Sequence, residues 1–461
     1  MRSKKSVVSL LNRCRSHAHF IICVVLAVGF IFGFTSLSLS AAPSAEVSVE
    51  DSNASSGTEE SGDIDSDDIP NLMGGSLSAH NQILVDDRPK RGFFRYPTPQ
   101  EPWDNWKREL KGNTGVGIGG SYGLLYQGYS DNPRDIDEAF SHKFTFNLSA
   151  DLIGRGTDSA GSLNIALEDR RKLGTDLPPL FAGVAAGSII PTTGTWSDFG
   201  FGLTQLYWQQ NLFQNRFQYA IGRIFAPNYV NAYPFFDDNR QFLNLAFSTS
   251  PTVASSLRGI GSVITVYPTE SLYIIGGLYN ANSEDTSNDL ANFFEENEYF
   301  YQAEVGWTGN ARRPVSVSGR GPTDTDNVHL TFWYKDEQVE RGIPKSSGVA
   351  FNANYMVTES LMPFLRGGYS DGDATLVDAN ISAGLGYRTR GTDADLLGVA
   401  FGWARPSDSQ LDNQYIIETF YRFQVTSNFA LTPDLQLIVD PALSPEESTL
   451  WVGAIRARLT F

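Results

Sequence analysis

The last thirteen residues, Thr449–Phe461, restrict the fold more than any other stretch of this chain. Trp451, Gly453, Ile455, Ala457, Leu459 and Phe461 fall on one face of a strand, and Val452, Ala454, Arg456, Arg458 and Thr460 on the other. Side chains alternate with period 2 along a strand, so one face suits hydrocarbon and the other places two arginines in a polar space. A sequence that closes on an aromatic residue after such a strand is the habit of bacterial outer-membrane barrels, whose assembly machinery reads that aromatic. Phe461 is therefore expected to act as the barrel-assembly signal, with that machinery as a partner.

The same alternation recurs upstream. Phe144, Phe146, Leu148 and Leu152 oppose Lys143, Thr145, Asn147 and Asp151; Val328, Leu330 and Phe332 oppose His329, Thr331 and Trp333. Repetition over the chain from about Asn113, without a convincing amphipathic helix, predicts an all-β protein. No apolar run after residue 42 reaches the roughly 20 residues that a membrane helix needs. Only helices and closed barrels satisfy their backbone in lipid, so a membrane-spanning form must be a transmembrane antiparallel β-barrel. About sixteen strands are expected, starting near residues 114, 141, 161, 199, 214, 257, 271, 298, 326, 346, 361, 378, 394, 413, 428 and 449. Tight connections such as Val425-Thr-Ser-Asn428 fall at even-to-odd junctions, and long ones (170–198, 226–256, 280–297) at odd-to-even junctions. Barrels alternate their two ends in this way. The long stretch 309–325 breaks the rule and suggests a misplaced strand nearby.

Three segments are expected. Residues 1–42 read as a signal peptide, with Arg2, Lys4, Lys5, Arg13 and Arg15 ahead of the apolar run Phe20–Phe34. Residues 43–100 read as an acidic disordered leader, because residues 46–87 hold eleven Asp and Glu and no Lys or Arg. Residues 101–461 read as the barrel. Both cysteines, Cys14 and Cys23, lie in the signal, which leaves the barrel without disulfides or a Cys nucleophile. A formal net charge of −17 argues against a nucleic-acid partner.

Two of the long connections are apolar. Residues 177–199 contain Leu177-Pro-Pro-Leu-Phe181, and residues 226–247 contain Tyr229, Tyr233, Phe235, Phe236, Phe242 and Phe247. Loops of this composition are expected to fold inward and narrow the lumen to an eyelet.

Several stretches resemble the carbohydrate-selective porin (OprB) family. They are Gly222-Arg-Ile-Phe225-Ala-Pro, Phe235-Phe-Asp-Asp-Asn239 with Phe242, and Tyr267-Pro-Thr-Glu-Ser-Leu-Tyr273 continuing to Asn282. Glu418-Thr-Phe-Tyr-Arg422-Phe, Leu431-Thr-Pro-Asp-Leu-Gln436, Asp440-Pro441 and Phe461 add to them, as does Trp103-Asp-Asn-Trp-Lys-Arg-Glu-Leu110 before the first strand. The resemblance implies a sixteen-stranded outer-membrane porin, set in outer-membrane lipid, that admits small sugars by passive diffusion.

A sugar pore needs flat apolar surfaces for pyranose faces and charged or amide groups that exchange hydrogen bonds with hydroxyls, all binding weakly enough for release. Glu168, Arg223, Glu304, Arg366, Glu418, Arg422, Arg456 and Arg458 are the charged residues expected to point inward. Arg223 leads into the 226–256 connection and, with Asp237, Asp238 and Arg240, is the first choice for the eyelet. Tyr233, Phe235 and Phe236 are candidates for an aromatic slide; the alternative is that they form the packing core of their loop. A general or ion-selective porin is the rival reading, separated by the sign of the eyelet charges. A structural tether that uses the acidic leader is a third.

No enzyme or cofactor is expected. His80, His142 and His329 are scattered, with no metal-ligand or triad spacing. Gly115-Val-Gly-Ile-Gly119-Gly looks like a dinucleotide loop but lies in an alternating strand with no helix after it. Every strand offers an apolar face, so the pattern accommodates a homotrimer as readily as a monomer.

Overall fold

The computed structural model describes residues 74–94 and 101–461, apart from 158, 287–289, 310–325, 390 and 393. The signal reading and residues 43–73 and 95–100 of the leader lie outside the described residues. The barrel opens with β1 (Val116–Tyr129), β2 (Glu138–Ile153), β3 (Gly161–Lys172) and β4 (Phe199–Leu212). It continues through β5 (Phe217–Phe225), β6 (Arg258–Val266), β7 (Leu272–Asn280) and β8 (Tyr299–Thr308). Then come β9 (Asn327–Lys335), β10 (Ser346–Asn354), β11 (Leu361–Asp371) and β12 (Val377–Arg388). The last four are β13 (Leu396–Pro406), β14 (Gln414–Gln424), β15 (Phe429–Val439) and β16 (Thr449–Thr460).

Each strand pairs antiparallel with its sequence neighbours, and β1 pairs with β16 from Ser121↔Thr460 to Tyr129↔Val452, which closes the barrel. An even strand count makes that closure antiparallel and leaves no open edge in lipid. The start points read from alternation all find their strands. β8 and β9 pair directly through Phe300↔Lys335 and Thr308↔Asn327, so no strand is misplaced there. Residues 310–325 between them lie outside the described residues.

Alternation explains the wall. In β9, Val328, Leu330 and Phe332 are exposed outward, while His329, Thr331 and Trp333 are buried inward. In β16, Trp451, Ile455 and Leu459 face out while Val452, Arg456 and Arg458 are buried. An apolar outer surface has no water-compatible use of this extent and suits hydrocarbon. The terminal Phe461 continues the pairing through reciprocal backbone hydrogen bonds with Gly120 of 2.9 and 3.0 Å, and its ring stacks near Phe144 at 6.1 Å.

The lumen is filled mainly by three segments. The β3–β4 connection carries a short helix, Pro179–Ala185, and buries Ile189, Ile190 and Trp196. The β5–β6 connection buries Tyr233, Phe235, Phe236, Phe242 and Phe247 against inward Phe364 and Phe420. The third filler lies in the stretch expected to be a disordered leader, and it corrects that expectation for residues 74–94. Helix α1 (Ala79–Asp86), capped by the Ser78 hydroxyl accepting from the Asn81 amide, packs inside the barrel against β1, β2 and β3. A second helix, α2 (Glu101–Thr114), leads into β1; its buried Lys107 reaches Asp87 at 2.6 Å. α1 is matched by an unusual wall: Ile83 lies 3.7 and 3.6 Å from where Cβ atoms on Gly117 and Gly119 would stand. The glycine run is thus a smooth inner face that lets a helix approach closely.

Candidate functional site

Charge pairs are distributed along the lumen from one mouth to the other. Nearest the long-connection end, β3 brings Glu168 and Arg170 to the same inward face, two residues apart. Arg170 Nε donates to Glu168 at 2.9 Å, and Arg258 and Lys143 stand 3.4 and 3.9 Å from the same carboxylate. Asp285, from the β7–β8 connection, receives Arg258 at 2.7 Å. Burial pushes the Asp285 carboxyl up, but Arg258 and Arg170 outweigh it and hold it below the usual carboxylate range. Three cations thus share two anions here. Glu168 was legible in the sequence; Arg170, Arg258 and Lys143 were not singled out, although Arg170 has the same strand parity as Glu168.

Midway, Glu304 on β8 accepts the Asn231 amide at 3.0 Å, the Thr331 hydroxyl at 2.6 Å and the Tyr273 hydroxyl at 3.0 Å. Arg366 on β11 donates to the Asn231 carbonyl at 2.8 Å and the Thr249 carbonyl at 2.7 Å, and lies 3.7 Å over the Tyr233 ring. Glu418 on β14 receives the backbone amides of Leu243 and Asn244 at 2.5 and 3.0 Å. These three wall residues point inward as expected, and each is spent on holding the β5–β6 connection in place. A cavity of about 80 Å³ adjoins Glu304, lined also by Tyr229, Tyr233, Tyr267, Tyr273 and Asn327.

Asp238 accepts from the Thr195 hydroxyl at 2.5 Å and the Gly194 amide at 3.1 Å, which joins the two inward connections. Arg456 on β16 donates to the Asp238 carbonyl at 2.7 Å and the Gln241 carbonyl at 2.9 Å. Towards the short-turn end, Arg422 donates to the Ala394 carbonyl at 2.8 Å. Asp237 pairs with Arg240, whose other arm reaches Asp86 of α1 at 2.9 Å. Arg458 grips Asp86 with two bonds of 2.9 and 2.7 Å. Burial pushes the Asp86 carboxyl up, and Arg240 and Arg458 override it to hold it far below the usual range.

Arg223 sits opposite Leu206 and Ile260, just after Gly222, whose φ of +134° breaks the regular strand. It is 8% exposed, and its guanidinium donates to the carbonyls of Leu203 at 3.0 Å and Glu284 at 2.6 Å, next to the Asp285 that receives Arg258. The aromatic slide gives way to its alternative. Tyr233, Phe235 and Phe236 are buried among Phe225, Phe242 and Phe364 with ring centroids 5.4–6.3 Å apart, so they are the packing core of the connection. Gly386 of β12 makes room for this core, since a Cβ there would collide with the Phe235 ring.

With this geometry in place, comparison with known proteins is direct. The family described as "Carbohydrate-selective porin, OprB family" matches residues 137–461. The chain belongs to this family. Among curated proteins it is similar to Porin AaxA of Chlamydia felis, 26% identical over 53% of this chain and 53% of that protein. It is likewise similar to Porin AaxA of Chlamydia abortus, 26% identical over 60% of each. The chain thus spans about half the length of the first and rather more of the second. A solved structure described as the high pH structure of Pseudomonas putida OprB aligns over 81% of this chain and 99% of its own, with 16% identity and a TM-score of 0.62. That likeness concerns the fold. α1, α2 and β1 precede the family match.

Proposed function

We propose that this protein is an outer-membrane porin through which small carbohydrates diffuse passively. The observation that carries the reading is a closed barrel of this family whose inner wall bears charges of both signs, placed near a tyrosine-lined cavity. Mixed pairs present a polar field to a neutral polyol without trapping an ion, and tyrosines offer flat apolar surfaces to sugar rings. Glu168, Glu304, Arg366, Glu418 and Arg422 belong to this inner wall, with Asp237, Asp238 and Arg240 on the connection that narrows it. Residues 1–42 serve as the secretion signal, Phe461 as the assembly signal, and the outer membrane is the site of action. A homotrimer is compatible with the apolar outer face.

The test is ion conductance of the folded barrel in planar bilayers, with glucose or maltotriose added. The current is expected to fall with sugar, and reversal potentials are expected to show weak ion selectivity. Folded protein that carries no current, before or after removal of residues 74–94, overturns the reading. The arginines near the short-turn mouth, Arg422, Arg456 and Arg458, favour the second reading, an anion-preferring porin. A strongly anion-shifted reversal potential with no effect of sugar would select it.

A further inference from the structure

Asp86 is held as a ligand would be held. Its carboxylate accepts from both terminal nitrogens of Arg458 and from one of Arg240, with bonds of 2.7–2.9 Å. Arg458 belongs to the wall, and Arg240 to a connection that Arg366, Glu418 and Arg456 pin in place. Asp86 belongs to neither. It is delivered by the last residue of α1, joined to the barrel through α2. The planar two-nitrogen fork of arginine suits any carboxylate, whatever molecule carries it.

The segment around α1 has several further contacts: the Gly75 amide donates to the Asn228 carbonyl at 2.5 Å, the Ser76 hydroxyl to the Phe236 carbonyl at 2.6 Å, and the Phe93 and Phe94 amides to the Gln424 and Val425 carbonyls at 2.9 and 3.0 Å. Gln205 donates to the Leu77 carbonyl at 3.0 Å, His80 meets the Ser149 hydroxyl at 3.0 Å, and Ile83 rests on glycines. Such a segment is an intramolecular occupant of the lumen. A tethered group of this kind acts at an effective concentration in the mM range. A free solute therefore displaces it only when abundant, which suits a channel whose cargo is plentiful when needed.

We propose that Arg240 and Arg458 form a carboxylate-binding site on the solute path, occupied at rest by Asp86, and that solutes bearing a carboxylate, such as sugar acids, compete with Asp86 for it. The proposal rests on the channel reading above and adds a second class of cargo to it.

The test uses the full chain in planar bilayers, with glucuronate and glucose as probes at matched ionic strength. Asp86→Asn is expected to bind glucuronate about ten-fold more tightly than the wild type, read from current block, with glucose block unchanged. Adding Arg458→Gln is expected to abolish that gain. A second variant leaves every charge of the site in place. Ile83→Cys with Gly119→Cys joins positions where the Ile83 Cα lies 3.9 Å from a Cβ built on Gly119. Oxidised, this pair locks α1 in place and is expected to remove the glucuronate effect; reduction restores it. Glucuronate binding that is equal in wild type and Asp86→Asn, or that persists in the locked form, overturns the proposal. In that case continued block by glucose leaves the sugar-channel reading standing. Absence of current in every variant overturns both.

Discussion

The β5–β6 connection and the 74–94 segment both fill the lumen, yet they are held by different physics. The connection is tied to strands at both ends and buries a continuous aromatic core in which Phe242 touches Phe235, Phe247, Phe364 and Phe420. Its polar backbone is met by Arg366 and Glu418 from the wall. The 74–94 segment buries three apolar side chains, Leu77, Ala79 and Ile83, beside the polar Ser76, Ser78, Asn81 and Gln82, and its charged hold is one carboxylate between two arginines. Apolar burial is non-directional and has no soluble competitor, whereas a charge-assisted pair can be exchanged for another carboxylate. On the proposal above, the first filler is a lasting constriction and the second an exchangeable one.

Removing the centre of the permanent constriction should have the largest effect. Phe242→Ala is expected to destabilise the folded barrel by about 3–5 kcal/mol and to raise single-channel conductance, checked by thermal unfolding in detergent and by bilayer recording. Unchanged stability would show that the aromatic core is not what fixes the connection. Next, Asp86→Asn should weaken docking of α1 by roughly 2–5 kcal/mol while sparing the barrel. Amide hydrogen exchange would show this as lost protection confined to residues 79–86; equal protection would place the hold elsewhere. Gly386→Ala, facing Phe235, should cost about 1–3 kcal/mol through overpacking, and Phe235→Leu in the same chain should recover part of it. The rescue separates a local clash from a general effect on β12.

The smallest effect is a pH dependence confined to α1. Burial, followed by the charge of Lys111, lowers the His80 pKa from 6.5 to about 4. A group that binds its proton more weakly when docked favours docking fully above its free value and loses that contribution as pH falls from 6.5 towards about 4. Asp86, held far lower, keeps its charge through this window. Undocking on mild acidification is therefore expected, and His80→Gln should remove it. Acid sensitivity that survives this substitution would assign it to another group.

Much of the architecture was readable because the strand period is so simple. Trp451, Ile455 and Leu459 facing out and Arg456 and Arg458 facing in follow from counting by twos, and strand starts near 161, 199, 346, 361 and 449 coincide with those of β3, β4, β10, β11 and β16. Counting by twos breaks down at Gly222, whose positive φ interrupts the strand just before Arg223, a side chain that is buried although it shares the parity of exposed Ile221. Glu304, Arg366 and Glu418 were identified as inward, but their partners were not, because Asn231, Thr249 and Leu243 lie more than seventy residues away in sequence.

Alternation, turn length and a closing aromatic strand were enough to specify a closed antiparallel barrel with a polar interior, because each depends only on a residue and its near neighbours. What fills that interior was decided by tertiary structure. Residues 79–86, inside a stretch expected to be disordered, form a lumen helix with Gly117, Gly119, Arg240 and Arg458 gathered around it. Arg458 lies near the end of the sequence, Arg240 in its middle, and Gly117 and Gly119 on the first strand, and closure of β1 on β16 brings the two ends of the barrel sheet together around one helix.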